Sequence, residues 1–157
     1  MKKLVLLLCI FTLALTACKK NSLQLSDSDY LVFGHFYGEC NGDKCIQIYR
    51  LEKNQLLQDT KHSYPSSANF YAANYIPLSQ QKWVIAEDLI DYFPTDLLTE
   101  PKNVIGQPDA GDWGGLYVEY NFNGTKKFWL IDKMKSNVPN KYWNFIDKIN
   151  EKIMQLQ

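Results

Sequence analysis

The residues best able to do chemistry are concentrated between Asn103 and Gly115, where Asp109, Asp112 and Trp113 stand among Gly106, Gly111, Gly114 and Gly115. Glycines permit close backbone approach, and two carboxylates beside an aromatic ring could bind a cation, a sugar or a peptide. The same residues also make an ordinary bend, with aspartates bonding turn amides and glycines relaxing the backbone ahead of a strand. The second account is the favoured one. A calcium loop needs more oxygen ligands at fixed spacing than this stretch offers.

The other reactive side chains are cysteines and histidines. Cys40 and Cys45 have C-x4-C spacing rather than the C-x-x-C of thioredoxin-like enzymes, with no βαβ context around them. They read as a disulfide clip across the Asn41-Gly42 turn, formed in an oxidising compartment. His35 and His62 lack the paired spacing of a zinc site, so no metal ligand set and no cofactor is expected. Glu39, Asp43, Glu119 and Asp132 could pair as glycosidase carboxylates, but the alternation of its strand puts Glu119 on a solvated polar face. No Gly-x-Ser-x-Gly elbow, His-Glu-x-x-His pair or phosphate-cradling loop occurs. No catalytic set can be named.

Cys18 has a different role. Met1 to Ala17 combine basic Lys2 and Lys3, an apolar run from Leu4 to Leu15 and a small-residue boundary, which is the layout of a secretory signal peptide. The run is too short to span a bilayer stably. It ends Leu15-Thr16-Ala17-Cys18, which looks like the lipobox of bacterial lipoproteins, where the cysteine takes fatty-acyl (palmitate-type) chains and the leader is removed. Each buried methylene contributes about 0.8 kcal/mol, so several chains would hold the mature protein on its membrane. Residues 18–28 then read as a lipidated polar tether, and residues 29–157 as one domain.

Loss of Lys2 and Lys3 with the leader leaves 15 basic against 17 acidic side chains, a formal charge of −2. That balance excludes a basic nucleic-acid binder. All four tryptophans, Trp83, Trp113, Trp129 and Trp143, follow the leader; most should be core, and an exposed one would mark a binding surface.

Several elements are needed to position these groups. Tyr30 to Tyr37 is β-branched and aromatic on both alternating faces, as in a strand covered on both sides, and Gly34 within it implies a bulge or close packing. Strands over Cys45–Leu51 and near Gln55–Thr60 follow in meander order. Lys61 to Pro77 reads as irregular, with one extended piece around Asn69–Ile76. Ser79 looks like an N-cap, and Trp83, Ala86, Ile90 and Phe93 keep helical spacing until Pro94. Asn123-Gly124 predicts a two-residue hairpin pairing Val118 with Trp129 and Leu116 with Ile131. Tyr142, Ile146, Ile149, Ile153 and Leu156 then form the stripe of a terminal helix capped at Asn140. The expected fold is α+β, an antiparallel sheet of about five strands with an internal and a C-terminal helix on one face.

With those elements in place, four segments carry a resemblance: Phe33 to Cys40, Cys45 to Leu51, Pro108 to Gly115 and Phe145 to Ile153. They resemble a family of small bacterial envelope lipoproteins with no established activity, and they sample most of residues 30–153. Some relatives carry cysteines flanking the Pro-Asp pair, where this chain has Gln107 and Ala110. The resemblance implies a class and an address, with no catalytic residue to carry over. The expectation is an envelope lipoprotein on the outer membrane, facing the periplasm or the surface, that binds an envelope protein or polymer as an accessory or inhibitor module. The alternative is an envelope hydrolase or small-ligand binder using Asp109 and Asp112.

Overall fold

Tyr30–Phe36 (β1) is buried at every position, so it can only lie inside a sheet covered on both faces. It pairs antiparallel with Ile46–Glu52 (β2) on one side and with Gly115–Phe122 (β6) on the other. Gly34 serves close packing: its pairing with Ile48 is continuous, and an added Cβ would lie 2.1 Å from the Gln47 carbonyl oxygen. The computed structural model describes residues 23–157, so the expected leader 1–17, Cys18 and the start of the tether lie outside the described residues. Among the described residues, no helix is long and apolar enough to cross a membrane.

The remaining strands are Leu56–Asp59 (β3), Tyr75–Pro77 (β4), Val104–Ile105 (β5) and Thr125–Asp132 (β7), giving the order β4-β3-β2-β1-β6-β7-β5. The class is α+β, as the patterning implies, but the sheet has seven strands and is mixed, because β5 runs parallel to β7. Of the two strands beyond the expected five, β4 overlaps the end of the extended piece expected around Asn69–Ile76, and β5 is unexpected; they have three and two residues, too few to show alternation. The β6–β7 hairpin has the register expected from Asn123-Gly124, with Val118 opposite Trp129 and Leu116 opposite Ile131. Asn123 and Gly124 both have positive φ, as a primed turn requires.

Two helices lie on one face, Gln80–Ala86 (α1) and Trp143–Leu156 (α2). The stripe Tyr142, Ile146, Ile149, Ile153 and Leu156 is buried and meets Leu31, Phe33, Val118 and Trp129 of the sheet. Three local details differ from the sequence reading. The internal helix narrows after Ala86 into a 3₁₀ turn, Glu87–Tyr92. Ser79 occupies the N-cap of α1 without a side-chain cap, and its carbonyl alone receives the amides of Lys82 and Trp83. Asn140 opens a 3₁₀ turn instead of capping α2, which starts three residues later.

The second face of the sheet carries Tyr30, Val32, Phe36, Ile48, Tyr117 and Leu130. Residues 61–74 cross it as a strap, laying Tyr64 on Phe36, Phe70 on Phe128 and Tyr71 on Tyr117 at ring distances of 5.0, 5.0 and 5.5 Å. The stretch just before β1 is also docked, although its polarity reads as a free tether. Leu23 and Leu25 pack against the helix-side core, and Asp29 accepts bonds from the Ser26 amide and hydroxyl and the Asn123 amide.

Candidate functional site

The loop before β6 bends through left-handed backbone at Gly106, Asp109, Asp112 and Gly114, conformations that glycine and, less readily, aspartate adopt. Asp109 closes it. One carboxylate oxygen accepts the Gly114 amide at 3.0 Å; the other accepts the Gly38 amide at 2.7 Å and the Tyr64 hydroxyl at 2.8 Å. The side chain thus joins three segments: the loop, the residues after β1 and the strap. Close approach is needed here, since a Cβ on Gly114 would lie 2.4 Å from the Tyr37 ring and one on Gly115 2.2 Å from the Phe36 ring. Gly114 and Gly115 therefore serve packing.

Asp112 is exposed and takes no part in that set of bonds, so the two aspartates do not form a carboxylate pair. Trp113 folds over Gly111, where a Cβ would lie 2.4 Å from its ring, and remains 46% exposed. Tyr64 keeps an exposed ring, while burial of its hydroxyl and then the Asp109 carboxylate push its pKa up to about 12. The result is an exposed aromatic surface at the Phe36 end of β1.

The same end carries the clip. Cys40 and Cys45 are joined, with Cα atoms 5.6 Å apart, and Tyr37 donates its amide to the Cys45 carbonyl at 3.0 Å. His35 Nε2 lies 2.9 Å from the Lys44 carbonyl and His62 Nδ1 lies 2.7 Å from the Ile46 carbonyl. Each of those nitrogens must donate, because a carbonyl only accepts. Burial holds the His35 pKa below the usual histidine range, opposed by its bond to Lys44 and helped by Lys133. Among the described residues, no three histidine, cysteine, aspartate or glutamate side chains converge as a metal site.

Glu119 corrects the sequence reading. Alternation puts it on a solvated face, yet it is only 6% exposed, because the strap covers that face. The Tyr30 hydroxyl donates to it at 2.9 Å and the Tyr117 hydroxyl at 2.6 Å. Tyr117 in turn accepts the Tyr71 amide at 3.0 Å, and the Tyr71 hydroxyl donates to Asp59 at 2.7 Å. Burial, reinforced by these carboxylates, raises the pKa values of Tyr71 and Tyr117. For Asp59, burial opposes ionisation, but bonds from Tyr71 and from the amides of Asn74, Lys61 and His62 outweigh it and lower the pKa. The tyrosines stay protonated and donate, the aspartate stays charged and accepts, and the network fastens the strap to the sheet. Asp132 is likewise fully buried, accepting the amides of Gln107 and Met134 and the side chain of Asn137.

Two clefts of similar size lie away from the aspartates. One, of about 380 Å³, is lined by Leu23, Leu25, Leu51 and Trp83; the other, of about 390 Å³, runs along β7 beside Phe70 and Lys102. Neither is lined by Asp109, Asp112, Glu119 or Asp132. Set against known protein families the chain matches none, and no curated protein matches it either.

Proposed function

We propose that the protein is a lipid-anchored envelope protein that acts by binding, as an accessory or inhibitor module, and recognises an envelope protein or polymer through the end carrying Tyr64 and Trp113. The observation that carries this reading is the engagement of Asp109: both its oxygens hold the protein's own amides and the Tyr64 hydroxyl. A carboxylate committed in this way is a poor acid, base or cation ligand, but it is a good device for holding an exposed tryptophan still. A rigid aromatic side chain binds at low entropic cost.

Anchoring by acyl chains on Cys18 belongs to the same reading, as do the outer-membrane address and the likeness to small envelope lipoproteins. The Cys40–Cys45 disulfide favours an exported, oxidising compartment. Docking of Leu23 and Leu25 brings the chain in near the Tyr30 end of β1, whereas Trp113 lies near the Phe36 end. Those are the two ends of a seven-residue strand, on the order of 20 Å from one another. An anchor at Cys18 would therefore hold the aromatic surface on the side of the domain away from the bilayer.

The test is co-sedimentation of the purified lipidated protein with envelope fragments, beside Trp113→Ala and Tyr64→Ala, after mass spectrometry of Cys18. Retention lost in both variants supports the reading. Retention unaffected by either substitution, or an unmodified Cys18, counts against it. Turnover of an envelope polymer that Asp109→Asn abolishes would restore the hydrolase alternative.

A further inference from the structure

The outer side of β7 is only partly covered. β5 pairs with Leu130 and Ile131 alone, so Thr125–Trp129 continues with no strand beyond it. Leu130 turns its amide outward, to the Asn103 carbonyl at 2.8 Å. Backbone direction alternates along an antiparallel ladder, so Lys126 and Phe128 also direct their N–H and C=O groups outward. Among the described residues, no backbone group meets them.

This free edge lies in the cleft of about 390 Å³. The strap forms one wall through Phe70, which is 46% exposed and packs edge-on to Phe128. The segment before β5 forms the other through Pro101 and Lys102. The Asn103 side chain donates to the Ser67 carbonyl at 2.6 Å and ties the walls together. Three lysines line the cleft: Lys102 is exposed, the Lys126 ammonium lies 5.5 Å from the centre of the Tyr30 ring, and the Lys127 ammonium donates to the Leu98 carbonyl. Its one acid, Glu100, is engaged by the Tyr142 hydroxyl at 2.9 Å.

Charge decides what can occupy such an edge. A second copy of the chain would bring Lys126 and Lys127 against the same residues, a like-charge pairing of the kind that edge lysines impose. An acidic strand meets attraction instead.

We propose that the Thr125–Trp129 edge of β7 is a strand-addition site for an extended acidic segment of another protein. The segment's backbone pairs with Lys126 and Phe128, its carboxylates lie near Lys102 and Lys126, and an apolar side chain rests on Phe70. This site is separate from the Trp113 surface and stands or falls independently of it.

The test uses the full chain, isotope-labelled in detergent micelles. The probes are a short blocked peptide alternating glutamate with valine, its lysine-for-glutamate counterpart, and phosphatidylglycerol vesicles. The glutamate peptide should shift the Lys126 and Phe128 amides and protect them from hydrogen exchange, and the lysine peptide should not. Lys102→Glu, at an exposed position, should weaken binding roughly fivefold, the scale of one exposed ion pair reversed. Lys126→Pro should remove the edge donor while the rest of the spectrum is retained. Equal response to both peptides, shifts elsewhere on the domain, or unchanged affinity in Lys102→Glu overturns the proposal. So does protection that grows with protein concentration alone, which assigns the edge to a second copy. Vesicles that reproduce the shifts when the peptide gives none assign the lysines to a membrane and overturn it too.

Discussion

The Tyr64 hydroxyl donates to the Asp109 carboxylate across 2.8 Å, joining two irregular segments that are 45 residues apart in the chain. Neither segment has secondary structure to hold it in place there, so a charge-assisted hydrogen bond performs the work that strand pairing performs elsewhere. The same carboxylate anchors the segment that follows β1 through the Gly38 amide. This bond holds the exposed Tyr64 directly, and the Gly114 amide on the same carboxylate ties down the backbone next to the exposed Trp113.

Asp109→Asn tests that role directly. Asparagine tolerates the left-handed backbone that Asp109 adopts, so the substitution removes charge without adding backbone strain. Tyr64 should then titrate part of the way back from about 12 toward its ordinary value of 10.0, and unfolding should become easier by about 1–2 kcal/mol. Ultraviolet titration and urea melts read the two effects. An unaltered tyrosine titration would show that Asp109 does not govern Tyr64.

Glu119 and Asp112 should behave oppositely. Glu119→Ala leaves the hydroxyls of Tyr30 and Tyr117 without their acceptor beneath the strap, a loss of roughly 2–4 kcal/mol for two buried donors. Asp112→Asn, at an exposed position and with a residue that tolerates its left-handed backbone, should change stability by about 0.5 kcal/mol or less. Paired denaturation curves decide it, and a similar cost at both sites would refute the assignment of Glu119 to a buried network.

Acid should destabilise the domain in two stages. The folded-state pKa of His35 is lowered, so its neutral form contributes stability that is present above the unfolded value, about 6.5, and is lost as the pH falls through the folded value. The pKa of Asp59 is lowered as well, so its contribution is present above the usual carboxylate range and lost only at lower pH. His35→Gln retains a donor toward Lys44 and should flatten the stability profile between roughly pH 5 and 7. A slope there that survives the substitution would point to another group.

Reduction of Cys40–Cys45 should cost at most about 2 kcal/mol, because the loop it closes is short. The clip stands next to Gly38, whose amide meets Asp109, so the reduced protein should also lose affinity at the Trp113 surface. Melts and binding measured with and without reductant check both parts. A binding loss without any change in melting would mean that the clip acts on the surface alone.

Much of the fold was legible because its signals are local. Asn123-Gly124 sets the β6–β7 register through turn geometry, and the 4-3-4-3 spacing of Tyr142, Ile146, Ile149, Ile153 and Leu156 can bury only one face of a helix. Tyr30 to Phe36, apolar on both faces, could only be central. The capping residues were less informative: Ser79 and Asn140 have the right types, but 3₁₀ turns and backbone carbonyls satisfy those helix ends instead. Of the candidate loop, the sequence identified the residues but not their division of labour, since Asp109 and Asp112 differ only in what lies opposite them.

The sequence by itself determined the class of fold, the central strand, the best hairpin and the terminal helix, because period and turn chemistry act over a few residues. Only the tertiary structure decided that Glu119 is buried, that Asp109 rather than Asp112 is the latch, that Leu23 and Leu25 dock, and that the β7 edge stays open. Each depends on a segment without periodicity, the strap or the approach to β1 or the short parallel β5, coming to rest on a distant part of the chain. Such placement comes from the sum of long-range contacts, which no local pattern encodes.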